Sequence, residues 1–329
     1  MPERQKRVTL KDVANYCGLS RSLVAFILSN SGYRNSTLEN RRKVAEAVKV
    51  LNYRPNTAAR ELRSRKSSII GVAMPMSGTS FYGNIALELQ REIKKRGFTS
   101  LFSFWGGDDP EEMHAEAIRA LFSRDIAGVI SWDASPRFQE ERIPAVIYGD
   151  GGGLYDSVSP DYEQMIAEAL RHLAEFGHRT IGILGMKERN RIFTEQVSKN
   201  GLTTRPEWIF ELACWSRRPQ DAFGQFYRNC GRILPDALIC HSDTEAVAVI
   251  SCAGKLGIEV PRDLSAVALD SSFIVDYFHP ALDAFDINLP EIATQLVERL
   301  LARIDAPEVP VKSVKILSRL VHRESVGRK

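Results

Sequence analysis

Arg21, Ser22, Ala25, Phe26 and Ser29 fall on one side of a helical wheel, while Val24, Ile27 and Leu28 fall on the other. A guanidinium and two hydroxyls on one short face can hydrogen-bond base edges, and a phenyl ring can pack on a thymine methyl. Basic side chains gather nearby: Lys11 and Arg34 flank this stretch, and Arg60, Arg63, Arg65 and Lys66 follow it. Residues 1–66 hold 15 Lys/Arg against 5 Asp/Glu, a net of +10; residues 67–329 hold 29 against 36, a net of −7. The overall charge of +3 hides that split. A basic head on an acidic body is the pattern of a polyanion-binding module fused to a separate domain.

Short helices must carry that face. Thr9-Leu-Lys-Asp12 reads as a capping box, with Val13, Ala14 and Cys17 on one apolar side and Gly18 closing the helix. Ser20 can cap a second helix after a tight turn, the spacing of a helix-turn-helix whose second helix enters the major groove. A further box, Ser36 to Glu39, predicts a third helix running to Leu51. Pro55 stops it, and Asn56 or Thr57 can cap a fourth over Thr57–Arg63, too short to be helical alone because nucleation is costly. Formed against a partner, it would present Leu62 as an apolar wedge for the minor groove, with Arg60, Arg63, Arg65 and Lys66 for phosphates; the other reading is a plain linker.

From Ile69 the pattern changes to short apolar runs alternating with amphipathic stretches. Strands are predicted at Ile69–Met74, Ser100–Phe104, Gly128–Trp132, Ala145–Tyr148, Thr180–Leu184, Ala237–Cys240, Leu264–Leu269 and Lys315–Leu320. Helices are predicted at Asn84–Arg96, Glu111–Ser123, Gln164–Glu175, Thr244–Leu256 and Pro290–Ile304. Such alternation gives parallel sheets with helices on both faces, which bind ligands at the carboxyl ends of their strands. A body of about 260 residues exceeds one ordinary core, so two sheets with a cleft between them are expected.

Other chemistries find no residues to stand on. With 44% hydrophobic and 26% charged residues in 329, the composition is that of soluble globular domains. No run of 18 apolar residues could span a bilayer, and the polar N-terminus does not read as a secretory signal. The five cysteines form no C-x-x-C pair and suit reduced thiols, hence a cytoplasmic location. Gly149–Gly153 reads as a loop and lacks the G-x-G-x-x-G order, and no nucleophile-elbow, Walker or H-E-x-x-H motif occurs. His172 and His178 stand six apart with no carboxylate or cysteine at ligand spacing. No enzyme activity, cofactor or metal is therefore expected.

The strings Val8-Thr-Leu-Lys-Asp-Val-Ala-Asn-Tyr-Cys-Gly-Leu-Ser20, Asn52-Tyr-Arg-Pro-Asn-Thr-Ala-Ala-Arg-Glu-Leu62 and Ile70-Gly-Val72 resemble the opening helix and turn, the hinge helix and the first core strand of the lactose/galactose repressor (LacI-type) family. Gly177-His-Arg179, Val260-Pro-Arg-Asp-Leu-Ser265 and Val321-His-Arg-Glu-Ser325 extend the likeness over almost the whole chain. The resemblance implies an all-α helix-turn-helix headpiece (1–55), a hinge helix or linker (56–67) and a periplasmic-binding-protein-like α/β core (68–329) of two doubly wound parallel-sheet subdomains. The first subdomain would hold 68–160 and 290–317, the second 161–289 and 318–329, with crossovers near Pro160, Leu289 and Leu317. It also implies a homodimeric repressor on a roughly palindromic double-stranded operator, modulated by a sugar or related metabolite, or a purine, in the core cleft. Lys11, Arg21, Ser22, Ala25, Phe26, Ser29, Arg34, Asn56, Leu62 and Arg63 would contact DNA. Phe81, Tyr82, Asp161, Arg189, Trp215, Ser242 and Asp270 would line the effector site, with Arg191 competing for the place of Arg189. Two rival readings are a solute-binding protein of the same core fold and an effector-independent DNA binder.

The recognition helix departs from the family pattern. Leu23, Ala25 and Phe26 stand where the family usually has Thr, Ser and Arg. Phenylalanine cannot make arginine's bidentate contact to guanine, so an unusual operator is expected if Phe26 faces DNA; the alternative is that it turns into the small core.

Overall fold

The computed structural model describes residues 8–28, 36–53, 67–76, 80–106, 109–212 and 219–329. The chain divides into two compact units, Met1–Lys66 and Ser67–Lys329.

In the first unit α1 spans Leu10–Cys17, α2 Arg21–Leu28 and α3 Leu38–Val50. The Asp12 carboxylate accepts the Thr9 N–H at 2.8 Å and its hydroxyl at 2.7 Å, while Thr9 Oγ1 accepts the Asp12 N–H, which starts α1. Gly18 ends α1 with φ of 65°, a left-handed conformation that costs glycine little. Ser20 Oγ then accepts the Leu23 N–H at 3.2 Å and opens α2. The cap of α3 lies one residue later than the sequence suggested: Thr37 accepts the Asn40 N–H at 3.3 Å. Both oxygens of Ser36 are taken instead by the Arg41 guanidinium, at 3.0 and 2.6 Å. Val13, Ala14, Val24, Ile27, Val44, Ala47 and Tyr53 form one small core. The Tyr53 ring, just after α3, closes that core.

The second unit holds two six-stranded sheets. The first has the order β11-β5-β4-β3-β1-β2, built from β1 (Ile69–Pro75), β2 (Thr99–Trp105), β3 (Gly128–Ser131), β4 (Ala145–Tyr148), β5 (Asp156–Pro160) and β11 (Ser313–Ile316), all parallel. The second has the order β12-β10-β9-β8-β6-β7, built from β6 (Ile181–Gly185), β7 (Ile209–Glu211), β8 (Ala237–Cys240), β9 (Ser265–Ala268), β10 (Asp283–Asp286) and β12 (Arg319–Val321). Only β12 runs antiparallel to its neighbour. Every residue of β3, β6, β8 and β9 is buried, as strands covered on both faces must be. The covering helices are α4 (Ser80–Lys95), α5 (Pro110–Phe122), the single turn α6 (Arg137–Glu140), α7 (Tyr162–Glu175), α8 (Lys187–Gln196), α9 (Pro219–Asn229), α10 (Asp243–Lys255) and α11 (Leu289–Asp305).

The predicted strand Lys315–Leu320 is two strands in different sheets, because the chain changes lobe between them at Leu317 and Ser318. The other two changes of lobe follow Pro160 and precede Leu289. Helix α11 returns Ile292, Leu296, Val297 and Leu300 to the core of the first lobe. Phe81 and Leu289 pack against the cores of both lobes.

Strands β5, β7 and β10 and helices α8 and α9 were not foreseen. The polar residues of β5 are satisfied internally: Asp156 accepts Arg303 Nε and Nη2 at 2.9 and 2.5 Å and the Lys312 N–H at 2.9 Å, and Ser157 bonds Ser313 at 2.9 Å. In α8 only Ile192 and Phe193 are apolar, too few to show a helical period, yet both are buried.

Candidate nucleic-acid face and effector cleft

On the headpiece Arg21, Ser22, Phe26 and Lys11 are exposed and Ala25 is half-buried. Phe26 is 40% exposed, so it faces outward, and the reading that turns it into the core is set aside. Val24, Ile27 and Tyr53 already fill that space. Ser29, Arg34, Asn56, Leu62, Arg63 and the hinge segment 56–66 lie outside the described residues.

In the core, side chains gather where strands end. Phe81 and Tyr82 stand at the start of α4, Trp132 follows β3 and Tyr148 ends β4. Their rings form a wall: Phe81 meets Tyr82 edge-on at 5.1 Å and Tyr148 at 5.6 Å, and Trp132 stacks on Tyr148 at 4.8 Å. From the second lobe come Tyr162 at the start of α7, Arg189 on α8, His241 and Ser242 after β8, Glu245 on α10 and Asp270 after β9. The two groups meet where the hydroxyls of Tyr148 and Tyr162 share a hydrogen bond. The Arg189 guanidinium lies 3.9 Å over the Tyr162 ring, and its Nη1 donates to His241 Nδ1 at 2.9 Å.

Burial, followed by the neighbouring carboxylate of Asp243, holds the Asp270 carboxyl well above the usual range. Burial likewise raises Glu245, and burial with the Arg189 charge beside it keeps His241 well below its ordinary value. The imidazole is therefore neutral and can accept from Arg189, while burial makes ionisation of both carboxyls harder. Asp270 Oδ1 accepts the Asp243 N–H at 2.6 Å. Asp243 accepts the Ser272 N–H and hydroxyl at 2.9 and 2.5 Å. Trp132 Nε1 and Arg189 Nε are buried with no hydrogen-bond partner among the described residues. Buried donors seldom stay unpaired, so both are suited to a bound acceptor.

The remaining expected cleft residues divide. Arg191 points outward and bonds Glu188 and Glu195, which leaves Arg189 as the arginine of the cluster. The carboxylate of Asp161 accepts the Gln164 N–H at 3.2 Å and caps α7. Ser242 Oγ donates to Glu245 Oε2. Trp215 lies outside the described residues. Trp132, Tyr148, Tyr162, His241 and Glu245 were missed, although a signal existed: Trp132 and Tyr148 close predicted strands and His241 follows one, at the carboxyl ends where parallel sheets bind ligands.

Two doubly wound lobes joined by three crossovers, with this cluster at their strand ends, define a binding-protein-like sensor core. Residues 170–326 match the model of the periplasmic binding protein-like domain. Catabolite control protein A of Staphylococcus aureus is 26% identical over 96% of this chain and 98% of its own length. The HTH-type transcriptional repressor PurR of Actinobacillus pleuropneumoniae is 27% identical over 97% and 98%. The lac repressor dimer bound to operator and the anti-inducer ONPF has a TM-score of 0.81 at 22% identity, covering 98% of this chain and all of that one. The transcriptional regulator CelR in complex with cellobiose has a TM-score of 0.69 at 19% identity, covering 97% of this chain and all of that one. Residues 170–326 thus carry the periplasmic binding protein-like domain, the whole chain has the fold of the lac repressor, and the curated relatives it resembles along almost their full length are named as transcriptional regulators.

Proposed function

We propose that this chain is a transcriptional repressor that binds a palindromic operator as a homodimer in the cytoplasm and is modulated by a small metabolite. It needs no cofactor and catalyses no reaction. The observation that carries this reading is a basic helix-turn-helix with an outward recognition face, in one chain with a two-lobed sensor core. The headpiece (1–55) reads the major groove, the hinge (56–67) the minor groove, and the core (68–329) senses the ligand. Arg21, Ser22, Ala25, Phe26 and Ser29 face bases; Lys11, Arg34 and Arg63 meet phosphates; Asn56 and Leu62 belong to the hinge contact. Proteins of similar fold in complex with operator DNA and with cellobiose support both halves of the reading.

In the cleft, Phe81, Tyr82 and Trp215 offer rings to the flat face of a sugar or purine, while Arg189, Ser242 and Asp270 bind its polar edge and Asp161 shapes the crossover. Burial shifts the Asp270 carboxyl toward its uncharged form, which suits a hydroxyl-bearing ligand. A ligand that inserts between Tyr148 and Tyr162 changes how the lobes close and so biases the paired hinges. Couplings of this kind are typically about 1–3 kcal/mol.

The test is selection of binding sites from random duplexes with the full-length chain. The expected half-site lacks the guanine contacted by an arginine at position 26, and Phe26→Arg restores preference for it by roughly 1–3 kcal/mol. A selected half-site unchanged by Phe26→Arg would contradict the recognition face.

A further inference from the structure

A second cluster sits in the same lobe as the charged wall but away from the cleft. His172 lies on α7, Asp283 opens β10, and His322 follows β12. Asp283 is wholly buried at the start of its strand, whereas the cleft residues lie at strand carboxyl ends. The three residues are 39 to 150 positions apart in sequence, so no ligand spacing could reveal them; the antiparallel pairing of β12 with β10 brings His322 to Asp283.

We propose that His172, Asp283 and His322 form a binding site for a divalent transition metal, with zinc the best match. One ligand atom from each lies within 4.8 Å of the other two. Asp283 Oδ1 is 3.2 Å from His172 Nε2 and 2.6 Å from His322 Nδ1. Ligands on a tetrahedral zinc with bonds of about 2.0 Å stand roughly 3.3 Å apart. The His172 pair already has that separation. His322 must move away from Asp283 by about 0.7 Å to reach that spacing, and its side chain, 47% exposed, has room to do so.

The other carboxylate oxygen is committed elsewhere. Oδ2 accepts the backbone N–H of Arg323 at 3.1 Å, the N–H of Ser325 at 3.0 Å and the Ser325 hydroxyl at 3.2 Å. These bonds orient the carboxylate as outer-shell partners orient metal ligands, and they leave Oδ1 directed at the two imidazoles. Phe176 lies 4.7 Å from the His172 ring and 4.9 Å from the His322 ring, fixing one side of the cluster. Two imidazoles and one carboxylate suit zinc over magnesium or calcium, which prefer shells of oxygen, and the exposed side next to His322 leaves a fourth position for water. A bound ion would tie α7, β10 and the segment after β12 into one unit. The competing arrangement is two ring N–H groups donating to one oxygen, with no ion.

Chelator-treated full-length protein titrated with Zn²⁺ distinguishes the two. The expected result is one ion per chain, a raised melting temperature, and no such response to Mg²⁺. His322→Ala, at a half-exposed position, should retain the metal-free melting temperature to within a few degrees. It should lose zinc affinity by more than the 10–100-fold typical of removing an outer-shell partner. Absence of stoichiometric zinc binding by the native chain overturns the proposal, and so does His322→Ala binding zinc as tightly as the native chain, which would place the ion elsewhere.

Discussion

The two walls of the cleft differ in chemistry. The first lobe presents rings, Phe81, Tyr82, Trp132 and Tyr148, and the second presents Arg189, His241, Asp270 and Glu245 around Tyr162. Stacking on a ring tolerates many flat ligands, whereas a charged fork against a neutral imidazole and two buried carboxyls fixes one orientation. Affinity should thus be shared between the walls, and selectivity should belong to the second.

Removing the charge tests that division most severely. Arg189→Leu should weaken any metabolite that stabilises the core by about 1.5–3 kcal/mol, the value of hydrogen bonds to a charged group. Isothermal titration checks it, and an unchanged affinity would mean that the ligand does not touch the second wall. A smaller loss is expected for Trp132→Phe, which keeps the stack on Tyr148 but removes the unpaired indole N–H: about 0.5–1.5 kcal/mol, with selectivity among related metabolites largely kept. Should selectivity collapse instead, the two walls do not differ as described.

The second wall should also titrate. The folded pKa of His241 lies well below the ordinary 6.5, through burial and the Arg189 charge, so the unfolded chain takes up its proton first. This group's contribution to stability is whole above about pH 6.5 and declines as pH falls, until the folded pKa is reached. Urea midpoints measured between pH 7.5 and 5.5 should therefore drop more steeply in the native chain than in His241→Gln. Parallel curves would remove His241 from the list of buried neutral groups.

Much of the fold was legible because its signals are local. The Thr9–Asp12 box, Gly18 and Ser20 each act within four residues, and the buried strands β4 and β8 have the bounds their apolar runs implied. What stayed hidden depends on distant partners. Strand β5 looks polar until Arg303 and Ser313 satisfy it, and α8 has only two apolar residues. In the cleft, the resemblance pointed to Arg189 but not to His241, 52 positions away, because only the ends of β6 and β8 bring them together. The same limit concealed Asp283 between two histidines.

The most direct measurement is full-length protein titrated onto its best selected palindromic duplex and onto random duplex of equal length, by fluorescence anisotropy at moderate salt, with and without a metabolite that raises the melting temperature. The expected result is a preference of roughly 10³-fold or more for the palindrome, altered when the metabolite is present. Equal affinity for both duplexes under every condition would contradict an operator-binding repressor.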